Sequence, residues 1–125
     1  MKQEQNAGVL AGKRIFLVED SPVIAPFTCD LLDDLGCSVV GPAPNMAAAR
    51  EMVESEKFDA ALMDVRIRGD RSFSICEMLD ARGIPFVFTS GYADWQLPEK
   101  WQDRPRLQKP YTIDQVQEAL ERLLG

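Results

Sequence analysis

A chain of 125 residues is one domain of ordinary size, long enough to bury a real core and too short for two. Its 14 basic residues against 20 acidic ones give a net charge of -6, which argues against nucleic acid as a direct partner because phosphate contacts need a basic surface. Histidine is absent, so Ser-His and Cys-His nucleophile pairs and histidine metal sites are excluded together, leaving carboxylates, hydroxyls and lysine to carry any chemistry.

Residues 1–12 are polar, lack the apolar stretch of a signal peptide and read as a frayed or disordered start; the domain itself is expected over 13–125. Arg14-Ile15-Phe16-Leu17-Val18 is an unbroken apolar strand that ends in the acids Glu19 and Asp20. Ser21-Pro22 then opens a helix with Ile24, Phe27, Leu31 and Leu35 at helical spacing, stopped by Gly36, with Pro26 in its early turns. A short strand over 37–40 is closed by Gly41-Pro42, and Asn45 caps a helix that turns Ala49, Met52 and Val53 inward.

Phe58-Asp59-Ala60-Ala61-Leu62-Met63-Asp64 is a second apolar run that stops at an acid. On a parallel sheet covered on both faces, such a run leaves Asp64 on the rim where ligands collect, although an aspartate in this place is equally an ordinary turn former. A charged loop through Arg71 leads to a short helix carrying Ile75, Met78 and Leu79 and ending at Gly83. The strand that starts at Ile84-Pro85-Phe86-Val87-Phe88 runs out in Thr89-Ser90-Gly91-Tyr92. Residues 93–105 hold Trp95, Pro98, Trp101 and Pro105, which leaves room only for a short or irregular helix. Arg106-Leu107-Gln108-Lys109 is a weak last strand before Pro110, and Thr112 with Gln115 forms a capping box for a helix buried along Ile113, Val116, Leu120 and Leu123.

Strands alternating with helices predict an α/β fold, a doubly wound five-stranded parallel sheet with helices on both faces. Right-handed crossovers bring all the strand ends to one rim, which gathers Glu19, Asp20, Asp64, Ser90 and Lys109. Each of these is ordinary alone, as a solvated acidic pair, a helix cap or a surface lysine; their joint placement is the specific signal. Three carboxylates held together raise one another's pKa unless a cation intervenes, and oxygen ligands on a shallow rim suit Mg2+. The cysteines Cys29, Cys37 and Cys76 are odd in number and widely spaced, so they read as reduced, apolar side chains in a cytoplasmic protein. No run approaches membrane-spanning length.

At these residues the chain resembles the receiver domains of two-component response regulators, a flavodoxin-like fold, from about residue 13 to 124. The resemblance implies that Asp64, in Leu62-Met63-Asp64-Val65-Arg66, is the phosphorylated aspartate. It further implies that Glu19 and Asp20 hold Mg2+ with Asp64 and the backbone carbonyl of Arg66. Ser90, five residues after Pro85, corresponds to the switch hydroxyl better than Thr89 does. Lys109-Pro110 corresponds to the family's lysine-proline pair, whose peptide bond is commonly cis. Phe88-Thr89-Ser90-Gly91-Tyr92 resembles a branch of stand-alone alphaproteobacterial receivers with a Phe-x-Thr-Gly-Tyr-like signature. The partners so implied are a histidine kinase or histidine phosphotransfer protein and a downstream protein target, without membrane or nucleic acid.

Two positions depart from the family pattern. Glu19 stands where many members have aspartate, and Arg106 stands where a switch tyrosine or phenylalanine is frequent. Tyr92 is therefore expected to take over the coupling, with residues 93–104 changing order and exposing or hiding Trp95 and Trp101; the alternative is that both tryptophans cap a loop over the core. A phosphatase or phosphotransferase with an aspartate nucleophile is a competing reading, but it typically needs Asp-x-Asp and the second place here is Arg66. A degenerate receiver that binds partners without being phosphorylated fits the intact acids, hydroxyl and lysine less well. A flavodoxin-like cofactor binder lacks its Gly-rich phosphate loop.

Overall fold

The computed structural model describes residues 9–91 and 96–125. Five strands form one parallel sheet: β1 (Arg14–Val18), β2 (Ser38–Ala43), β3 (Ala60–Asp64), β6 (Phe86–Ser90) and β7 (Arg106–Gln108), in the order β2-β1-β3-β6-β7. Between β3 and β6 the short strands β4 (Arg66–Ile67) and β5 (Asp70–Arg71) make a separate antiparallel hairpin. Among the described residues the helices packed on the sheet are α1 (Ile24–Asp34), α2 (Met46–Ser55), α3 (Phe73–Ala81) and α4 (Ile113–Leu124), with a 3-10 turn at Glu99–Trp101.

Successive strand residues face opposite sides of a sheet, so apolar runs without alternation must be covered twice. Phe16, Val18, Ala61, Met63, Phe86 and Phe88 pack with Ala49 and Val53 of α2 and Ile75, Cys76 and Leu79 of α3. Their neighbours Ile15, Leu17, Ala60, Leu62, Val87 and Leu107 pack with Leu32 of α1 and Val116, Ala119 and Leu120 of α4. The doubly wound, five-stranded architecture expected from the sequence is the one observed. Its register sets Val18 beside Met63 and Asp64 beside Thr89, which brings the ends of β1, β3 and β6 to one rim.

Local details differ from the sequence expectation. Strand β2 does not close at Gly41-Pro42 but continues to Ala43. It lies at the sheet edge, where the missing N–H of Pro42 need not break a ladder, and Gly41 takes φ 103°, with Leu17 O and Ala43 N 2.9 Å from where a Cβ would stand. The charged loop after Asp64 is the β4–β5 hairpin, and its Ile67 is fully buried. On α1 the inward stripe is Ala25, Thr28 and Leu32, flanked by the partly buried Ile24, Leu31 and Leu35, and Phe27 is 41% exposed. The helix starts at Ile24 behind Val23, later than Ser21-Pro22 would open it, and the Ser21 hydroxyl accepts from the amides of Val23 and Ile24 just ahead of its first turn. The packing also reaches back before residue 13: Leu10 is buried in the core, and the Gly12 amide donates to Gly36 O at 2.9 Å.

Helix α4 has its capping box, Thr112 Oγ1 accepting from Gln115 N and Gln115 Oε1 from Thr112 N. Just before it, the buried Tyr111 hydroxyl lies 2.6 Å from Thr28 Oγ1, which itself donates to Ile24 O, so the tyrosine is the donor that ties α4 to α1. Tyr111→Phe removes that donor while Thr28 keeps its backbone partner. The expected cost is about 1 kcal/mol, read from the urea midpoint at unchanged m-value. A midpoint equal to wild type contradicts this role.

Candidate functional site

The strand ends supply the site directly. Glu19 and Asp20 follow β1, Asp64 ends β3, Ser90 ends β6 and Lys109 follows β7; all five line one open cleft together with Ser21, Ile24, Arg66, Gly69, Gly91 and Pro110. Ser90, not Thr89, lines it, although both are buried. The Lys109 amide donates to Ser90 O at 2.8 Å, which sets the lysine beside the end of β6; the Lys109-Pro110 peptide is cis.

Each carboxylate is pinned by a backbone amide. Glu19 Oε2 accepts from Ser21 N at 3.0 Å, Asp64 Oδ1 from Arg66 N at 3.2 Å, and Asp20 Oδ2 from Arg68 N at 2.8 Å. The hydroxyl of Ser72 donates to the Asp64 carbonyl at 2.6 Å, fixing the backbone under the acid. Lys109 Nζ bridges the two most buried acids, 2.7 Å from Asp64 Oδ2 and 2.6 Å from Glu19 Oε1. The contact with Asp64 is a directed hydrogen bond; the one with Glu19 is a charge contact off the hydrogen-bond direction, which leaves Oε1 buried with no hydrogen-bond partner.

Burial pushes the Asp64 carboxyl up to about 6, against the pull of the hydrogen bond and charge of Lys109. At Lys109 burial works to lower the pKa, but the hydrogen bond to Asp64 and the charges of Asp64 and Glu19 outweigh it and leave the ammonium raised. At neutral pH an ionised Asp64 therefore faces a charged Lys109.

Ligand oxygens of Glu19, Asp20 and Asp64 all lie within 4.8 Å of one another. Three acids in that space, with a single ammonium among them, fit a hard divalent cation bound through oxygen. The remaining residues singled out in the sequence fall as follows. Arg66 is exposed at the cleft edge, and Arg106 is exposed on the sheet edge with its guanidinium donating to Gln102 O at 2.8 Å. Tyr92 and Trp95 lie outside the described residues. Trp101 is 1% exposed and packs on Phe73, Phe86 and Phe88, with Nε1 donating to Asp80 at 2.6 Å, so it caps the core.

Three contributors went unread in the sequence: the amides of Ser21 and Arg68 and the hydroxyl of Ser72. None of them carried a readable signal, since Arg68-Gly69 lacks the asparagine or glycine that marks the first place of a left-handed two-residue turn.

The chain matches the family described as response regulator receiver domain over residues 15–121. It is 43% identical to SdrG from Sphingomonas melonis Fr1, whose solution structure it matches over 93% of this chain and 98% of that one with a TM-score of 0.81. It is 26% identical to the receiver domain of the sensor histidine kinase PA1611 from Pseudomonas aeruginosa. That structure has a magnesium ion coordinated in the active-site cleft and aligns over 92% of this chain and 99% of that one, with a TM-score of 0.76. Among curated proteins it resembles the transcriptional regulatory protein PdtaR of Mycobacterium tuberculosis, 28% identical over 120 residues. These are 93% of this chain but 58% of that protein, so the chain spans little more than half the relative's length.

Proposed function

Because the chain belongs to the response regulator receiver domain family of two-component signalling, we propose that Asp64 accepts a phosphoryl group from a histidine kinase or histidine phosphotransfer protein. The observation that carries this reading is the position of Asp64, on the cleft floor with Lys109 2.7 Å from one oxygen and Glu19 and Asp20 beside it. Attack by an Asp64 oxygen on phosphorus forms an acyl phosphate as the bond from phosphorus to the donor nitrogen breaks. With a pKa of about 6, Asp64 is ionised at neutral pH yet more basic than an exposed aspartate, which favours the attack. The Arg66 amide and Lys109 hold the carboxylate in place, and the ammonium meets charge growing on the transferring oxygens.

Glu19, Asp20 and Asp64 would hold Mg2+, with the Arg66 carbonyl as a backbone ligand; once bound, the ion supplies charge neutralisation that one lysine cannot. We expect the metal-free melting temperature to rise by several degrees in millimolar Mg2+ and the rise to vanish in Asp20→Asn, because a ligand that binds only the folded state stabilises it. An undiminished Mg2+ response in Asp20→Asn contradicts the assignment. Uptake of one phosphoryl group from a small-molecule phosphodonor, dependent on Mg2+ and absent with chelator, tests the function itself; no uptake in either condition overturns it.

The output follows from the same charges. Phosphorylation replaces the single carboxylate charge of Asp64 with a phosphoryl group of about -1.5 to -2 charges and strong acceptors, which draw in the Ser90 hydroxyl and Lys109 and pull on Gly91 and Tyr92. The Ser90 and Lys109 face, with Tyr92 in place of the aromatic that Arg106 replaces, thereby changes shape for a protein target. The domain is proposed to run over 13–125, with Leu10 of the leading segment 1–12 packed into its core, and to act in the cytoplasm, a setting that fits the three free cysteines. Beyond its own phosphorylation we assign it no enzymatic turnover. Among the described residues no helix is long and apolar enough to cross a membrane, and the net charge of -6 makes protein, not nucleic acid or membrane, the proposed partner.

A further inference from the structure

Two of the three acids in the cleft are positioned by their own chain. Glu19 takes the amide of Ser21 and Asp64 that of Arg66, each two residues on, and these local turns form wherever the strand ends. Asp20 is different: the amide it accepts belongs to Arg68, 48 residues away. That amide is presented by the β4–β5 hairpin, whose pairs Arg66 with Arg71 and Ile67 with Asp70 leave Arg68-Gly69 as its two-residue turn.

The turn is strained. Arg68 has φ 54° and Gly69 φ 85°, the pair of left-handed residues that a type I′ turn requires, and Arg68 is the one described non-glycine residue in that region. Asparagine or glycine is the usual occupant, so arginine holds this conformation against its preference and relies on the surroundings to keep it. Those surroundings are visible. Ile67 is fully buried, the Ser72 amide donates to Val65 O, and Arg68 Nε donates to Pro44 O beyond β2. The hairpin thus springs from the residue next to Asp64 and returns its tip to Asp20.

We propose that Arg68 is a positioning residue whose left-handed backbone aims its amide at Asp20 and so fixes that carboxylate relative to Asp64 for Mg2+. The inference rests on the metal reading given above. It assigns the work to the backbone of Arg68, with one Asp20 oxygen held by the hairpin while the carboxylate serves the cation. The guanidinium serves only as the anchor to Pro44 O that lets arginine keep this turn, an anchor that glycine and asparagine do without.

The test is calorimetric titration of the full chain with Mg2+ alone, in variants that all lack the guanidinium and differ in how well they tolerate φ 54°. Arg68→Gly and Arg68→Asn keep the turn and are expected to bind Mg2+ at least as tightly as wild type. Arg68→Val, a β-branched residue disfavoured in this region, is expected to bind about tenfold more weakly than Arg68→Gly, with Arg68→Ala between them. A purely structural role of the hairpin lowers the metal-free melting temperature without this ranking, because rescue by glycine and asparagine follows backbone preference and not packing. Equal Mg2+ affinity in Arg68→Gly, Arg68→Ala and Arg68→Val overturns the proposal, and should Arg68→Val not fold, the order of the other three decides it. A wild type that binds no Mg2+ overturns the metal reading itself, whereas binding without the ranking overturns only the role of Arg68.

Discussion

Replacing Asp64 with asparagine is expected to abolish phosphoryl uptake, lowering the hydroxylamine-labile adduct at least 100-fold after treatment with a small-molecule phosphodonor and Mg2+, by about 3 kcal/mol or more in the barrier. The amide is nearly the same size and keeps an oxygen for Arg66 N, so the cleft survives, but a neutral amide is no nucleophile at phosphorus. The matched control is Asp59→Asn. Asp59 lies in the loop before β3, at the opposite end of the strand from Asp64, where its carboxylate accepts from the Arg14 amide at 2.8 Å. That variant should be phosphorylated at the wild-type rate. Intact mass of both variants, with and without hydroxylamine, checks the pair, and an adduct persisting in Asp64→Asn removes the site assignment.

The largest expected change in stability comes from Lys109→Met. The Lys109 side chain is 12% exposed, and its ammonium stands between Glu19 and Asp64, whose side chains are 1% and 9% exposed. Removing it leaves two buried carboxylates without their cation, at a cost of about 3 kcal/mol in metal-free buffer near pH 8, or roughly 10 °C in melting temperature. The pH dependence has a definite sign. Asp64 already titrates at about 6, above the ordinary 3.8, so the folded state favours its protonated form; this contribution is present below about pH 4 and lost as pH rises through 6. Without the hydrogen bond and charge of Lys109 the pKa rises further. The deficit of Lys109→Met should therefore be small near pH 4, open as pH rises through 6, and close in part on addition of Mg2+. A deficit independent of pH identifies lost packing of the lysine stem as its cause instead.

What the sequence made legible was the rim. Leu17-Val18-Glu19-Asp20 and Leu62-Met63-Asp64 end apolar runs in acids, and a strand buried on both faces cannot keep a carboxylate except at its end. Lys109 and Ser90 follow by the same logic, and the structure brings all five residues into one cleft. What stayed hidden depends on contacts between segments. The β4–β5 hairpin was unreadable because its turn carries Arg68 where a left-handed residue announces itself as asparagine or glycine. The continuation of β2 through Pro42 depends on its being an edge strand, a property of the sheet order. On α1 the small residues Ala25 and Thr28 face the core, so a stripe drawn through the bulky Phe27 pointed partly outward. Trp101, in a proline-rich stretch that reads as a loop, is anchored by Asp80 on α3 and by an aromatic cluster that only the fold assembles.

That cluster also limits where an output signal can travel. Phe88 lies two residues before Ser90 and packs on Trp101, so the inward movement proposed for Ser90 would be felt by a packed aromatic face as well as along the chain. The phosphatase reading meets Arg66 where Asp-x-Asp would require an aspartate, and the family match leaves it no support. A degenerate receiver would have no reason to keep a buried aspartate between a lysine and two further acids.

The most direct measurement is to treat the wild-type chain with a small-molecule phosphodonor and Mg2+, reduce it with borohydride, and sequence the peptides by mass. An acyl phosphate at Asp64 is converted to homoserine at position 64 and at no other acid, and this is the expected result. Homoserine at Asp20 or Glu19, a stable phosphate on Ser90, or an unmodified chain would each contradict the account.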